Sequence, residues 1–226
     1  MKDNAHAGHR ERLRNRFCKE GLEHFEAHNI LELLLFYAFA QKDTNEIAHR
    51  LLDHFGSLSA VFDASVEDLA AIEGMGKRSA VLIKLIPELF RAYEEDKNKE
   101  RSVLDTAEKA FRFFLPKYIG RTDEFVLVAC LDSACKVLCC EIVNQGTVSA
   151  AEVNVRKIAE LAIRHHASGV ILSHNHPNGM ALASDEDIMT TDAVNYALRL
   201  IGIRLIDHII VAGEHFVSFA DIGGIK

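Results

Sequence analysis

The sequence has no surplus of positive charge and no long apolar run, and each absence excludes a class of protein. Its 26 lysines and arginines stand against 33 aspartates and glutamates, which gives a net charge of −7 at pH 7. A protein that coats nucleic acid through a broad basic surface is therefore excluded, and any contact with DNA must be local. The most apolar run, ILELLLFYAFA at residues 30–40, is too short to span a bilayer and contains Glu32.

We also expect no secretory signal, since the first twenty residues contain four arginines and no apolar core segment. The five cysteines are an odd number, and four of them lie in the apolar stretch FVLVACLDSACKVLCCEIV. This stretch has the pattern of two strands joined by a turn, in which cysteines act as small buried hydrophobic residues. We therefore expect a cytoplasmic protein with reduced thiols and no membrane partner.

The hydrophobic pattern changes once along the 226 residues. Residues 1–95 have helical periodicity throughout, and the charged stretch at residues 96–102 is the natural linker. In residues 103–226, apolar strand-like segments alternate with amphipathic helices, which is typical of an α/β domain. The sequence therefore predicts an all-α domain followed by an α/β domain.

A glycine turn joins two apolar helical segments in the first half. Gly74 and Gly76 permit positive φ and close backbone approach, and the following helix starts at Lys77 and Arg78. The N–H groups at that helix start and the two cations would attract a DNA phosphate. The same pattern also fits a tight turn between packed helices, so the residues alone leave both interpretations open.

The segment SHNHPNGMALASDED, residues 173–187, contains the strongest chemical signal. His174 and His176 are two apart at the end of an apolar strand, so their side chains point the same way. Asp187 lies in the first turn of the next helix, and two imidazoles with one carboxylate leave one position of a tetrahedral Zn²⁺ site open for water. Ser184 and Asp187 also have the spacing of a helix capping box, under which the histidines would be ordinary loop residues.

This spacing resembles the signature of the JAMM (JAB/MPN) metalloproteases. The stretches ILSHNHPNG and LIDHIIV are similar to the bacterial RadC branch of that family, and FGSLSAVFDAS and GMGKRSA are similar to the helix-hairpin-helix region that precedes it. The resemblance covers nearly the whole chain. It implies an N-terminal all-α helix-hairpin-helix domain and a C-terminal α/β JAB/MPN-like domain, with a mixed sheet flanked by helices.

The resemblance also implies roles for individual residues. His174, His176 and Asp187 would hold Zn²⁺. Glu141, in the stretch CCEIVNQGT, would take the proton of the attacking water, and we expect it at the end of a strand where burial would make it a better base. Ser184 would support the tetrahedral intermediate, a role that is compatible with its position as a helix cap.

Three further candidates rank below these residues. Glu152 is the alternative base if Glu141 is not the catalytic glutamate. His165 and His166 are adjacent at a helix end, point in different directions and fit a surface position. Asp207 and His208 fit either a supporting role next to the metal or, as we expect, a satisfied pair in the core.

We expect a zinc-dependent hydrolase of amide bonds that acts on a peptide or protein substrate and binds DNA weakly and without sequence preference. One rival is a DNA-binding scaffold with a structural or idle metal site, which the presence of Glu141 disfavours. The other is a metal-dependent phosphodiesterase. Such enzymes often use two metals bridged by several carboxylates, and here only Asp187 is well placed.

Overall fold

The computed structural model describes residues 3–98, 103–146, 153–177 and 179–225. The chain divides into two compact units, residues 1–90 and 91–226. Within the described ranges, no helix is long and apolar enough to cross a membrane. Part of the predicted linker, residues 99–102, and the alternative base Glu152 lie outside the described residues.

The first unit is built from helices, the last of which continues past residue 90 into the second unit. They are α1 (Asp3–Glu20), α2 (Ala27–Leu35), α3 (Asn45–Phe55), α4 (Leu58–Asp63), α5 (Val66–Ala71) and α6 (Lys77–Asn98). Their apolar faces enclose a core that includes Leu31, Leu35, Ile47, Leu51, Leu69 and Ile83. Helix α6 continues through Asn98, so the first three residues of the segment predicted as a linker are helical.

Two of the short helices begin with a serine cap. The side chain of Ser57 accepts a hydrogen bond from the backbone of α4, and Ser65 does the same for α5. The Ser65 hydroxyl also donates to the carboxylate of Asp68 at 2.7 Å. These caps satisfy N–H groups that would otherwise have no partner at a helix start.

The second unit contains a mixed five-stranded sheet. Its elements are α7 (Ala107–Tyr118), β1 (Phe125–Leu131), β2 (Val137–Gln145), α8 (Val155–Arg164), β3 (Gly169–Asn175), α9 (Asp185–Leu200), β4 (Arg204–Ala212) and β5 (His215–Ser218). The strand order is β2-β1-β3-β4-β5. The β3–β4 pair is parallel and the other pairs are antiparallel. The predicted fold class, a helical region followed by an α/β domain with a mixed sheet, is confirmed.

Helix α7 was not identified from the sequence. Thr106 caps it, and its aromatic side chains Phe111 and Phe114 pack on the face of the sheet that carries Leu127 and Ile171. The opposite face carries Val128 and Leu172 and is covered by α8 and α9. Because both faces are covered, β1 and β3 are buried along their whole length. Their sequences are therefore mostly apolar, without the alternation of a half-exposed strand.

Candidate metal centre

The two histidines of the motif lie on one side of the end of β3, and the asparagine between them points the other way. His174 is buried within the strand and His176 is half-buried just beyond it. The backbone N–H of His176 donates to the carbonyl of Val211 at 2.8 Å, which extends the pairing of β3 with β4 past the strand end. The side-chain alternation of a strand therefore brings both imidazoles to the same side.

The carboxylate enters the site from the first turn of α9. Ser184 caps this helix, because its Oγ accepts from the Asp187 N–H at 3.1 Å and the Ser184 N–H donates to Asp187 Oδ2 at 2.8 Å. The Ser184 hydroxyl also donates to Oδ2 at 2.7 Å. The capping box and the metal-ligand interpretation are therefore not alternatives, since the capping box holds Asp187 in the orientation that a ligand needs.

Three possible ligand atoms converge at this point. His174 Nε2 is 2.9 Å from His176 Nε2 and 3.0 Å from Asp187 Oδ1, and His176 Nε2 is 3.7 Å from Asp187 Oδ2. Atoms from all three residues lie within 4.8 Å of one another. Two imidazole nitrogens and a carboxylate oxygen are an established donor set for zinc, and three ligands leave a fourth tetrahedral position for water or substrate. The residues present therefore fit a metal ion that keeps one open coordination position.

The site favours a charged carboxylate. Burial alone would raise the pKa of Asp187, but the hydrogen bond and charge of His174 and the hydrogen bonds from Ser184 outweigh it, and the pKa falls below its ordinary value. A deprotonated carboxylate is the form that binds metal. The neighbouring His208 shows the opposite case, because burial lowers its pKa well below the ordinary value and keeps the imidazole neutral.

Comparison with known proteins agrees with this geometry. The model of the RadC-like JAB domain family matches residues 104–224, which contain the whole cluster. The chain belongs to the RadC-like JAB domain family. The region in front of this RadC-like domain matches the UPF0758 N-terminal family over residues 5–81.

Curated relatives cover the RadC-like domain and the helical region together. The chain is 36% identical over 230 residues to a UPF0758 protein of Fusobacterium nucleatum, with 99% of each chain covered. It is 36% identical over 222 residues to a UPF0758 protein of Variovorax paradoxus, covering 97% of this chain and 96% of the relative. A UPF0758 protein of Bordetella pertussis is 34% identical over 210 residues, with 93% of each covered.

Glu141 lies on the same face of the RadC-like domain's sheet as the histidines. It is opposite Val128 in β1, Val128 is opposite Leu172 in β3, and Leu172 is opposite His208 in β4. Residues paired directly across strands share a face, and His174 is two residues beyond Leu172 on β3. The carboxylate of Glu141 and the imidazole of His174 therefore project into the same layer.

The expected strand end at Glu141 was wrong. Strand β2 continues for four residues beyond it to Gln145, and Glu141 is half-buried in mid-strand. A register shift follows at Val126, where the pairing with β2 skips Val143. Such irregularities sharpen the local twist of the edge strand. Strand β1 lies between β2 and β3, so the backbones of these two strands are about 10 Å apart. Glu141 would therefore face a reacting group held at the metal rather than the metal itself.

The hairpin in the helical unit only partly matches the expectation. Gly74 has φ of +94°, and a Cβ there would lie 3.0 Å from Cγ1 of Ile47, so this position requires glycine. Gly76 has no positive φ, and a Cβ added to it would meet no atom within 4 Å, so the backbone at Gly76 does not require glycine; its part in a DNA contact stays a prediction. Lys77 and Arg78 are exposed at the start of α6.

His208 was expected in the core rather than at the site, and Thr191 was not predicted as part of the site. His208 Nε2 is 2.8 Å from His174 Nδ1, whereas the neighbouring Asp207 accepts hydrogen bonds from Ser218 and from the backbone. Both residues are buried and hydrogen-bonded, as expected for the core, but their side chains have different partners and His208 also contacts the site. Thr191 contacts His208 Nδ1 at 2.6 Å and lies one helical turn after Asp187, which is the only sequence signal that pointed to it.

Proposed function

We propose that the protein is a zinc-dependent, JAMM-type metallopeptidase-like hydrolase that cleaves the amide bond of a peptide or isopeptide. The observation that carries this proposal is the convergence of His174 Nε2, His176 Nε2 and an Asp187 carboxylate oxygen within 4.8 Å. The centre lies at a strand end and next to the loop of His176, which is half-buried, so a substrate can reach it. The RadC-like JAB domain family supports the same reaction class.

Each residue has a separate task in this reaction. When bound, Zn²⁺ lowers the pKa of a coordinated water towards about 7 and polarises the scissile carbonyl. Glu141 takes the proton of the attacking water and returns it to the leaving nitrogen. Ser184 holds Asp187 through its 2.7 Å hydrogen bond and, at the start of α9, would support the oxygen that becomes negative.

The donor set favours this reaction over phosphodiester hydrolysis. Two-metal phosphodiesterases use several carboxylates that bridge their ions. Among the described residues, the cluster that could hold a metal contains two histidines and the single carboxylate of Asp187. A single metal with an open position suits attack on a carbonyl.

We propose weak, sequence-independent DNA binding as a second property, carried by the helical unit. Lys77 and Arg78 are exposed at the first turn of the 22-residue helix α6, and the ammonium group of Lys42 donates to the Gly74 carbonyl at 2.7 Å in the same turn. The three cations at this helix start can bind a phosphate group. The net charge of −7 limits the contact to this region.

The deciding experiment measures metal content and hydrolysis on one preparation. Elemental analysis of the purified protein should find one zinc per chain. A peptide library, with isopeptide-linked members, should be cleaved by this protein, should survive after chelation and should be cleaved again when zinc is restored. His174→Ala should lose both zinc and cleavage. Two metals per chain, or zinc without cleavage of any amide, would contradict the proposal.

A further inference from the structure

We propose that Thr191 and His208 are positioning residues that fix the tautomer of His174, so that its Nε2 presents a lone pair to the metal. The inference rests on the proposed metal site. It extends that site by a chain of three hydrogen bonds, which runs from the backbone of α9 through Thr191 and His208 to His174.

The first two contacts define where one proton lies. Thr191 Oγ1 is 2.6 Å from the carbonyl oxygen of Asp187, and two oxygens this close require a proton between them. A carbonyl can only accept, so the Thr191 hydroxyl must donate to it. The same Oγ1 is 2.6 Å from His208 Nδ1. With its proton already used, Thr191 must accept there, and His208 must carry a proton on Nδ1.

The next contact joins the buried ring of His208 to His174. The ring is 1% exposed and stacks on Phe219, with 4.8 Å between ring centroids and 21° between planes. The contact with Thr191 places a proton on Nδ1 of His208, and a metal bound through Nε2 of His174 requires the proton of His174 on its Nδ1. Both conditions hold only if His208 Nε2 is an acceptor. His174 Nδ1, which is 2.8 Å away, must then be the donor.

The consequence for the metal site is geometric. With a proton held on Nδ1, His174 can bind a metal only through Nε2, which is the atom 3.0 Å from Asp187 Oδ1. The tautomer of His176 is determined separately, because its Nδ1 lies 3.1 Å from the Met180 carbonyl and must donate to it. Each histidine thus keeps its proton away from the metal, one through a buried chain and the other through a loop carbonyl.

The chain is isolated from water. His174, His208 and Thr191 are each at most 1% exposed, so no solvent molecule can replace a lost partner. Without the Thr191 hydroxyl, the Nδ1 proton of His208 would have no acceptor, and the other tautomer, with the proton on Nε2, would be favoured. His208 would then donate to His174 Nδ1 and leave the proton of His174 on Nε2, where it opposes metal binding.

Three threonine variants separate this role from packing. Thr191→Val keeps the shape but removes the hydroxyl, and Thr191→Ser restores it. Thr190→Val is the matched control, since Thr190 is the preceding residue of α9, is 2% exposed, and its hydroxyl has no hydrogen-bond partner among the described residues. In competition with a chelator, Thr191→Val should bind zinc about 10–100-fold more weakly. Thr191→Ser and Thr190→Val should bind close to wild type.

The tautomer can also be read directly, without metal or substrate. Proton–nitrogen correlation spectra of the metal-free wild type, with ¹⁵N-labelled histidine, should show His208 protonated at Nδ1 and not at Nε2. The opposite tautomer would overturn the proposal, and so would unchanged zinc affinity in Thr191→Val or equal loss in Thr190→Val. The spectrum decides the question even if Thr191→Val does not fold. A wild type with this tautomer and bound zinc that cleaves no amide would contradict only the proposed function.

Discussion

The side-chain oxygen of Asn175 accepts a hydrogen bond from the backbone N–H of Phe125 at 2.7 Å. The amide nitrogen of the same side chain donates to the carbonyl of Asp123 at 3.0 Å. Asn175 is 4% exposed and lies between the two histidines of the proposed metal site. It therefore anchors the end of β3 to the start of β1, and the positions of His174 and His176 depend on this anchor.

Replacement of Asn175 by aspartate should destabilise the protein. A carboxylate can still accept from Phe125 but cannot donate to Asp123, and its charge would be buried beside a carbonyl oxygen. We expect a loss of about 1–3 kcal/mol in the free energy of unfolding, measured by chemical denaturation. Asn154→Asp is the control, because the Asn154 side chain accepts from the Lys157 N–H at the start of α8 and aspartate caps a helix equally well. Equal losses in both variants would contradict this role.

Ser184→Ala should weaken metal binding as well as stability. The variant loses a helix cap, worth about 1 kcal/mol, and the hydroxyl that orients Asp187, which should reduce zinc affinity about 10–100-fold. Ser65→Ala is a matched control, since Ser65 donates to Asp68 at 2.7 Å and accepts from its N–H at 3.0 Å in the helical unit. Chelator competition should separate the two variants. Unchanged affinity in Ser184→Ala would assign this serine to the helix cap alone.

Glu141→Gln tests the catalytic base. Glutamine keeps the size and strand geometry but cannot take a proton, so zinc content should stay near one per chain while hydrolysis slows about 10²–10⁴-fold. The loss should appear in kcat rather than KM, because substrate binding is preserved. Glu108→Gln, which changes an exposed glutamate on α7, should hydrolyse at the wild-type rate. Full activity in Glu141→Gln would exclude Glu141 from the mechanism, and Glu152 should then be replaced.

Asp207→Asn should change how stability depends on pH. Burial raises the pKa of Asp207 above its ordinary value, although hydrogen bonds from Ser218 and the backbone oppose the shift. A raised pKa in the folded state contributes stability below about pH 4 that is lost as pH rises through the folded value. The free energy of unfolding of the wild type, relative to Asp207→Asn, should therefore fall between pH 4 and neutrality. Urea denaturation at several pH values measures this difference, and a rise would refute the assignment.

The double variant Lys77→Glu with Arg78→Glu tests DNA binding. Reversal of both exposed charges at the start of α6 should abolish retention of duplex or branched DNA. Few phosphate contacts predict a shallow salt dependence in the wild type, with a slope of about −0.9 per phosphate contacted. Lys109→Glu, an exposed lysine on α7, is a control for charge alone. Retention that survives the double variant would make the hairpin a packing element only.

The parts of the site that were predictable are those encoded over short distances. Strand alternation places His174 and His176 on one side, and the Ser184 to Asp187 spacing places a carboxylate in the first turn of α9. Both patterns lie within fifteen consecutive residues and depend on local backbone geometry alone. The positive φ of Gly74 also follows locally, from the need for a turn between two helices.

The supporting residues depend on contacts that no local pattern contains. His208 reaches His174 across 34 residues, and it does so because β4 pairs in parallel with β3. Glu141 lies on the same sheet face as the site only because β2 pairs with β1 and β1 pairs with β3. Strand order and register are decided by hydrogen bonding between strands and by packing of both sheet faces, which sequence periodicity does not report.

The sequence by itself therefore predicted the cluster of His174, His176 and Asp187 and the change from a helical region to an α/β domain, because these follow from side-chain periodicity and capping chemistry. Only the tertiary structure decided that Glu141 lies in mid-strand, that α7 covers one face of the sheet, and that Thr191 and His208 form a hydrogen-bonded chain to His174. A hydrogen bond requires two atoms within about 3 Å, and for residues far apart in the chain that proximity is created by folding.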